Sequence, residues 1–319
     1  MIKIATVTGC AGFIGQVLTR RLLEDGWLVY GIDKLTYAAD RVGLLILQQN
    51  KYFHFIEQDI TTLTSIPDCD VLFNLAAESD VDTSNKDSKQ FVLTNTLGVQ
   101  NLLKLITDSS IIKNEPPLFI QMSTDEVYGA TSNNTELFTE NSPLNPGNPY
   151  AATKAGADLL ITSWANTYGL EYIIIRPSNN YGARQHPEKL IPLAIKKLQR
   201  NKKIKLHNNG APIRTWTNVE DTVIGVLTIL GAGKRNTIYN ISSEFEQDNI
   251  TTITKLLKSY FGEVDPSNYL DLTYNRPGQD MRYAICSDKL RQLGWSARHN
   301  INRDLSSLIL GYKNGEFRW

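Results

Sequence analysis

The stretch STDEVYG, Ser123 to Gly129, sets two carboxylates side by side, Asp125 and Glu126. They follow PLFIQM, an apolar run that predicts a buried strand. Most adjacent acids sit in solvated loops. At the mouth of a buried strand, two carboxylates in different surroundings can hold different protonation states. One can then give a proton while the other takes one. A second pair with chemical potential is Tyr150 and Lys154 in YAATK, at the start of a predicted helix. One helical turn places both side chains on the same face. An ammonium beside a phenol is expected to lower its pKa, making Tyr150 a base near neutral pH. The spacing alone is common, and a plain surface helix is the competing explanation.

A third motif supplies context. VTGCAGFIG follows the first predicted strand and opens the first predicted helix, with Gly9, Gly12 and Gly15 spaced GxxGxxG. Glycines let the backbone turn tightly and approach a pyrophosphate at the helix N-terminus. Asp33 ends the second predicted strand and is placed to bind a ribose diol. An acid there favours NAD over NADP, although Lys34 beside it tempers the argument. A structural turn is the alternative for the glycines, but the strand, helix and acid together point to a dinucleotide.

The elements that must position these residues alternate. Strands are predicted at Lys3–Thr8, Leu28–Asp33, Tyr52–Gln58, Val71–Ala76, Leu118–Ser123 and Glu171–Arg176. Helices are predicted at Phe13–Asp25, Lys89–Thr107 and Ala151–Tyr168. This is the pattern of an α/β fold, a doubly wound, Rossmann-like parallel sheet covered on both faces. After about Tyr181 the pattern loosens. We expect residues 1–181 to form the dinucleotide-binding domain and 182–319 a smaller α/β substrate-binding lobe, with some later chain returning to the first.

Composition narrows the function. Lys plus Arg and Asp plus Glu are both 33, so no charge excess recruits nucleic acid or an anionic membrane. Cys10, Cys69 and Cys286 are far apart and odd in number, which argues against a disulfide framework. The histidines are scattered, and no metal site is expected. No apolar run approaches the roughly 20 residues of a membrane span, and no secretory leader is recognisable. These features predict a cytoplasmic protein.

The glycine spacing and the Tyr-x-x-x-Lys pair resemble the extended short-chain dehydrogenases. Longer segments resemble the nucleotide-sugar 4,6-dehydratases: GCAGFIG, IDKLTYA, LAAESDVD, TNTLG, STDEVYG, NPYAATKA, RPSNNYGARQHPEKLIP, RTWTNVED and RPGQDMRYA. The resemblance covers nearly the whole chain and implies a mechanism. Tyr150, assisted by Lys154 and Thr124, takes the proton of the glucose 4-hydroxyl as NAD oxidises C4. Glu126 removes the C5 proton, Asp125 protonates the departing C6 hydroxyl, and hydride returns to C6. NAD is regenerated each turnover and should be tightly held.

The resemblance also implies binding positions. Gly9, Gly12, Phe13, Ile14, Gly15, Asp33, Lys34, Thr36, Asp59, Ile60, Ala76, Thr94, Tyr150, Lys154 and Asn180 match cofactor contacts. Ser79, Thr124, Asn179, Lys189, Leu190, Arg214, Asn240 and Arg276 match substrate contacts. The chain departs from the family pattern at Cys10, Asp80, Thr83, Thr215, Asn275 and Gln279. A dTDP-activated glucose is the expected substrate, with UDP-glucose open. A UDP-sugar decarboxylase or 4-epimerase is the alternative, and Asp125 discriminates because neither must protonate a C6 leaving group. The family also implies a homodimer through the helices near Lys89–Thr107 and Ala151–Tyr168. A silent NAD-binding scaffold is disfavoured, because the glycines, Tyr150 and Lys154 are all present.

Overall fold

In the computed structural model, residues 2–113, 116–131, 135–275 and 280–317 are described. The first strands follow the sequence pattern: β1 (Ile4–Thr8), β2 (Leu28–Asp33), β3 (Phe53–Glu57), β4 (Val71–Asn74), β5 (Leu118–Met122) and β6 (Tyr172–Pro177). The later strands are β7 (Asn179–Tyr181), β8 (Ile204–Lys205), β9 (Ile213–Asn218), β10 (Thr237–Ile241), β11 (Glu246–Asp248) and β12 (Leu270–Asp271). The main sheet has seven strands in the order β10-β6-β5-β4-β1-β2-β3, and all its pairings are parallel. Strands β4, β5 and β6 are buried along their whole length. Such strands need helices on both faces, which explains their near-continuous apolar sequences.

Strand β10 joins this sheet although it lies far along the chain. The helix Val219–Ala232 returns with it. Its Val223, Val226 and Ile229 share one core with Leu18 and Leu22 of the helix Phe13–Glu24. A second core gathers Ile195, Leu198, Leu256, Leu257, Leu305 and Ile309. It lies among three helices (Leu190–Gln199, Asn249–Phe261 and Ile301–Lys313) beside the small sheet β11-β9-β7.

The strand order reverses between β1 and β4, and a crevice opens there at the strands' C-terminal ends. A buried polar ladder fixes those ends. The Thr8 hydroxyl donates to Asn74 Oδ1 at 2.6 Å, and Asn74 Nδ2 donates to Gln121 Oε1 at 2.8 Å. Two helices border the crevice. One starts at Lys89 and runs on to Lys113, past the expected end, through a π-helical turn at Val92–Leu97. The other is Pro149–Tyr168. Its start is fixed locally: the Asn148 side chain accepts from Ala151 N at 2.9 Å, Pro149 opens the first turn, and Gly169 closes the helix in the left-handed region. Among the described residues no helix is long and apolar enough to cross a membrane.

Candidate active site

One pocket collects the chemistry. Every cofactor position expected from the sequence lines it, and so do Ser79, Thr124, Asp125, Glu126, Asn179 and Lys189. Its floor is the glycine cradle. Gly9 has φ +70°, and a Cβ there would lie 2.7 Å from Ala76 N. A Cβ on Gly15 would lie 2.0 Å from the Gly9 carbonyl oxygen. The loop can therefore hug β4 and present the N-terminus of the helix Phe13–Glu24 only with glycine at both positions. We expect Gly15→Ala to lower the NAD content of purified protein about tenfold or more, because backbone must move to relieve the overlap. Cofactor release on denaturation measures this; wild-type content in the variant would rule the cradle out.

Asp33 stands at the pocket wall and is anchored by backbone. Ala11 N donates to Oδ2 at 3.0 Å and Leu35 N to Oδ1 at 2.8 Å. Burial pushes its carboxyl up, and those two hydrogen bonds pull it back. Lys34 does not offer a free cation. Its ammonium lies 3.1 Å from Glu78 Oε1 and 3.5 Å from Asp59 Oδ2. With two carboxylates sharing it, Lys34 is poorly placed to neutralise a 2′-phosphate. Asn95, inside the π turn, holds Glu78 in place: its Oδ1 accepts from Glu78 N at 2.9 Å and its Nδ2 donates to Glu78 O at 3.0 Å. The extra residue of a π turn is a common device at functional sites.

The two acids at the end of β5 occupy unlike environments. Asp125 is buried at 3% exposure. Burial first, and then the Glu126 charge, push its carboxyl up to about 8. Thr124 donates to its Oδ1 at 3.3 Å, while Oδ2 is buried with no hydrogen-bond partner among the described residues. Glu126 is more open. Its Oε2 accepts from Asn148 Nδ2 at 2.9 Å and from Tyr283 OH at 3.4 Å. The residue that caps the Tyr150 helix thus also aims Glu126.

Tyr150 is 8% exposed, and its ring meets Phe91 edge-on at 6.5 Å. The expected depression of its pKa rests on Lys154 together with an oxidised nicotinamide, and the protein's own residues work against it. Burial, then Glu126, drives the phenol strongly upward, against a hydrogen bond with Thr124. Lys154 points elsewhere: its ammonium donates to Met122 O at 2.7 Å. Burial lowers this ammonium to about 8, and Asp158 works in the opposite direction.

The substrate positions divide. Lys189 Nζ reaches across the crevice to Ser79 O at 2.9 Å. Asn179 Oδ1 and Asn180 Oδ1 are buried and unpartnered among the described residues, both on the pocket wall. Leu190 is the first residue of the helix Leu190–Gln199, beside Lys189 but off the pocket wall. Arg214 also lies off the wall, 4.7 Å above the Tyr283 ring, yet its charge acts on Asp125. Asn240 departs from the expectation. It is fully buried and away from the pocket, accepting from Tyr128 OH at 2.9 Å and donating to the carbonyls of Phe138 and Cys286. Its amide is consumed in the core, so a direct substrate contact would require those bonds to break. Arg276 and Gln279 lie outside the described residues.

Two departures from the family pattern have structural uses. Asp80 caps the helix Val81–Lys86 by accepting from Thr83 N at 2.7 Å, and buried Thr215 donates to Tyr283 O at 3.3 Å. Sequence reading missed Glu188. Its Oε2 accepts from Tyr37 OH at 2.8 Å, and its Oε1 lies 3.2 Å from Lys189 Nζ, spanning the mouth of the pocket. Its place in PEKLIP beside Lys189 was the available signal.

The comparisons agree with this geometry. The family model described as GDP-mannose 4,6 dehydratase matches residues 6–307. A low-salt glycan biosynthesis protein, Agl12, of Haloferax volcanii is 39% identical over 95% of this chain and 96% of its own. A dTDP-glucose 4,6-dehydratase of Haemophilus influenzae is 36% identical over 96% of each. The crystal structure of DesIV, a dTDP-glucose 4,6-dehydratase of Streptomyces venezuelae solved with NAD bound, superposes with TM-score 0.90 at 34% identity, covering 99% of this chain and 98% of its own. A match over nearly the full length, on a chain that keeps the glycine cradle, the Thr-Asp-Glu strand end and the Tyr-x-x-x-Lys helix, places this protein in the nucleotide-sugar 4,6-dehydratase family of extended short-chain dehydrogenases/reductases.

Proposed function

We propose that the chain is a hydro-lyase that converts a nucleotide-activated glucose, dTDP-glucose first, to its 4-keto-6-deoxy form with loss of water. The observation that carries this reading is Asp125. A carboxyl that keeps its proton at neutral pH, next to one open to the pocket, is the pair that a dehydration needs. An epimerase or decarboxylase has no C6 leaving group to protonate.

The residues take separate roles. Tyr150, with Thr124 in hydrogen-bond reach, accepts the proton of the 4-hydroxyl. NAD, when bound in the glycine cradle, supplies hydride acceptance and return, and its nicotinamide adds positive charge beside the phenol. Once C4 is a ketone the C5 proton is acidic, and Glu126 takes it. Asp125 gives its proton to the C6 hydroxyl, which leaves as water. Glu126 then returns its proton to C5, and the proton Tyr150 took from the 4-hydroxyl balances the one Asp125 gave to water, so exchange between them through solvent resets both groups. Half-buried Asn179 and Asn180 offer their carbonyl oxygens to hydroxyl groups in the pocket. Lys189 offers a cation to the diphosphate from the wall, and Arg214 would do so from beside it.

The test is turnover without added NAD, with dTDP-glucose and UDP-glucose supplied separately. The expected result is an alkali-induced keto-sugar absorbance and a product lighter by one water. No product from either donor, even with NAD added, would sink the reading. A homodimer is part of the proposal. Val92, Leu97, Leu159 and Tyr168 are large, exposed apolar side chains on the two bordering helices, and the cost of leaving them wet supports pairing. Three free cysteines support a reducing compartment such as the cytoplasm.

A further inference from the structure

We propose that Asp158 is a positioning residue for this reaction: ionised and locked by Arg176 and Ser123, it keeps Lys154 cationic and ties the Tyr150 helix to the strand end carrying Thr124 and Asp125. The inference rests on the dehydratase reading for its kinetic consequence, but not for its charge argument.

Asp158 lies one helical turn beyond Lys154, on the same face, and is 2% exposed. Its Oδ2 gathers three donors at 3.0 Å each: Ser123 Oγ, Arg176 Nε and the Arg176 terminal nitrogen. Its Oδ1 is buried and has no hydrogen-bond partner among the described residues. Arg176, from β6, is held on its far side by the Tyr128 ring at 4.7 Å. Tyr128 in turn is tied to Asn240. Burial pushes the Asp158 carboxyl up, and the Arg176 guanidinium and then the Ser123 hydroxyl pull it back, so a carboxylate clamped here, with one oxygen left over, is an expensive arrangement unless its charge is used.

Lys154 is where that charge is needed. Its ammonium is buried and donates to the Met122 carbonyl, and a desolvated cation without a counter-ion loses its proton. The charged and titratable groups around it are few. Its own helix offers Tyr150 and Asp158. The end of β5 offers Asp125, which holds its proton, and Glu126, which Asn148 and Tyr283 draw toward themselves. Strand β6 offers Arg176, of the same sign. Asp158 is therefore the carboxylate that offsets burial at Lys154, and its effect is in that direction. Ser123 adds the mechanical link, since it immediately precedes Thr124.

The experiment titrates the Lys154 ammonium by NMR in protein labelled with ¹⁵N-lysine, as purified, with Lys154→Met assigning the signal. The wild-type midpoint is expected near 8. Asp158→Asn should lower it by about one unit or more, and Asp158→Glu should restore it. In kinetics, the alkaline limb of kcat should move down by the same amount, with about twofold loss at pH 7 that grows toward tenfold above pH 8. If Asp158→Asn alone fails to fold, the pair replacement D158N/R176M removes both buried charges and should fold, with the Lys154 midpoint still lowered. An unchanged Lys154 midpoint, with only a lower Tm, would make Asp158 a structural residue and overturn the proposal. Absence of dehydration by wild type, with the midpoint shift present, would overturn the functional reading instead.

Discussion

Tyr150→Phe should leave the fold and the bound cofactor in place and cut turnover by about 10²–10⁴-fold. The substitution removes one oxygen and keeps the ring that packs edge-on against Phe91. What it removes is the group proposed to take the 4-hydroxyl proton, and no neighbour is suited to replace it. Thr124 is a hydroxyl of ordinary acidity, Lys154 donates to Met122 O, and Asp125 retains its proton. The protein's own residues drive the Tyr150 phenol upward, by burial and then by Glu126. Positive charge close to the phenol must therefore supply the counterweight, and the acid limb of kcat in the wild type should report it. Product formation is measured beside Tm and NAD content. Turnover within tenfold of wild type, at wild-type NAD content, would remove Tyr150 from the base role.

Asp125→Asn is expected to slow water loss by about 10²–10³-fold while the earlier steps survive. Asn is nearly isosteric and cannot give up a proton to the C6 hydroxyl. Glu126 still reaches C5, so in deuterated solvent the variant should exchange the C5 proton without releasing water. Mass spectrometry of recovered substrate separates the two events. Dehydration at the wild-type rate would refute the acid role, and loss of C5 exchange as well would mean that Asp125 acts earlier.

The same substitution has a stability signature. The Asp125 carboxyl titrates near 8 in the fold, above its ordinary value. Its contribution to stability is therefore complete below the unfolded pKa, near 3.9, and is lost as pH rises through about 8. Replacing it by a neutral amide removes that loss. The Tm difference between Asp125→Asn and wild type should grow in the variant's favour from pH 5 to pH 8 and then level off. A difference that stays constant over this range would show that the carboxyl is not held protonated. Asp125 and Lys154 both titrate near 8, so it is the Lys154 midpoint read by NMR, moved by loss of Asp158, that separates the two effects.

Much of this site is written locally, and local rules make it legible. Gly15 is demanded by the overlap a Cβ would make with the Gly9 carbonyl in the same turn, whereas Gly9 is demanded by Ala76 just beyond β4, a contact its spacing signals without showing. Asn148 and Pro149 start a helix by their own chemistry, and Tyr150 with Lys154 follows from helical periodicity. Short β-branched runs between amphipathic segments fix a parallel sheet, because each buried strand needs cover on both faces. The π turn at Val92–Leu97 and the short helix Arg41–Leu47 escaped that reading, since neither has a periodic signature of its own.

By itself, then, the sequence determined the α/β architecture, marked the dinucleotide cradle and nominated the side chains proposed for catalysis, since each of those signals lies within a few positions of chain. Only the tertiary structure decided their electrostatics. It paired Lys34 with Glu78, turned Lys154 toward Met122, raised Asp125 and Tyr150, buried Asn240 in the core and clamped Asp158 between Ser123 and Arg176. The physical reason is that a charge takes its energy from what surrounds it in space. Burial and opposite charges come from elements far apart in the chain, and no local pattern encodes the distance between them.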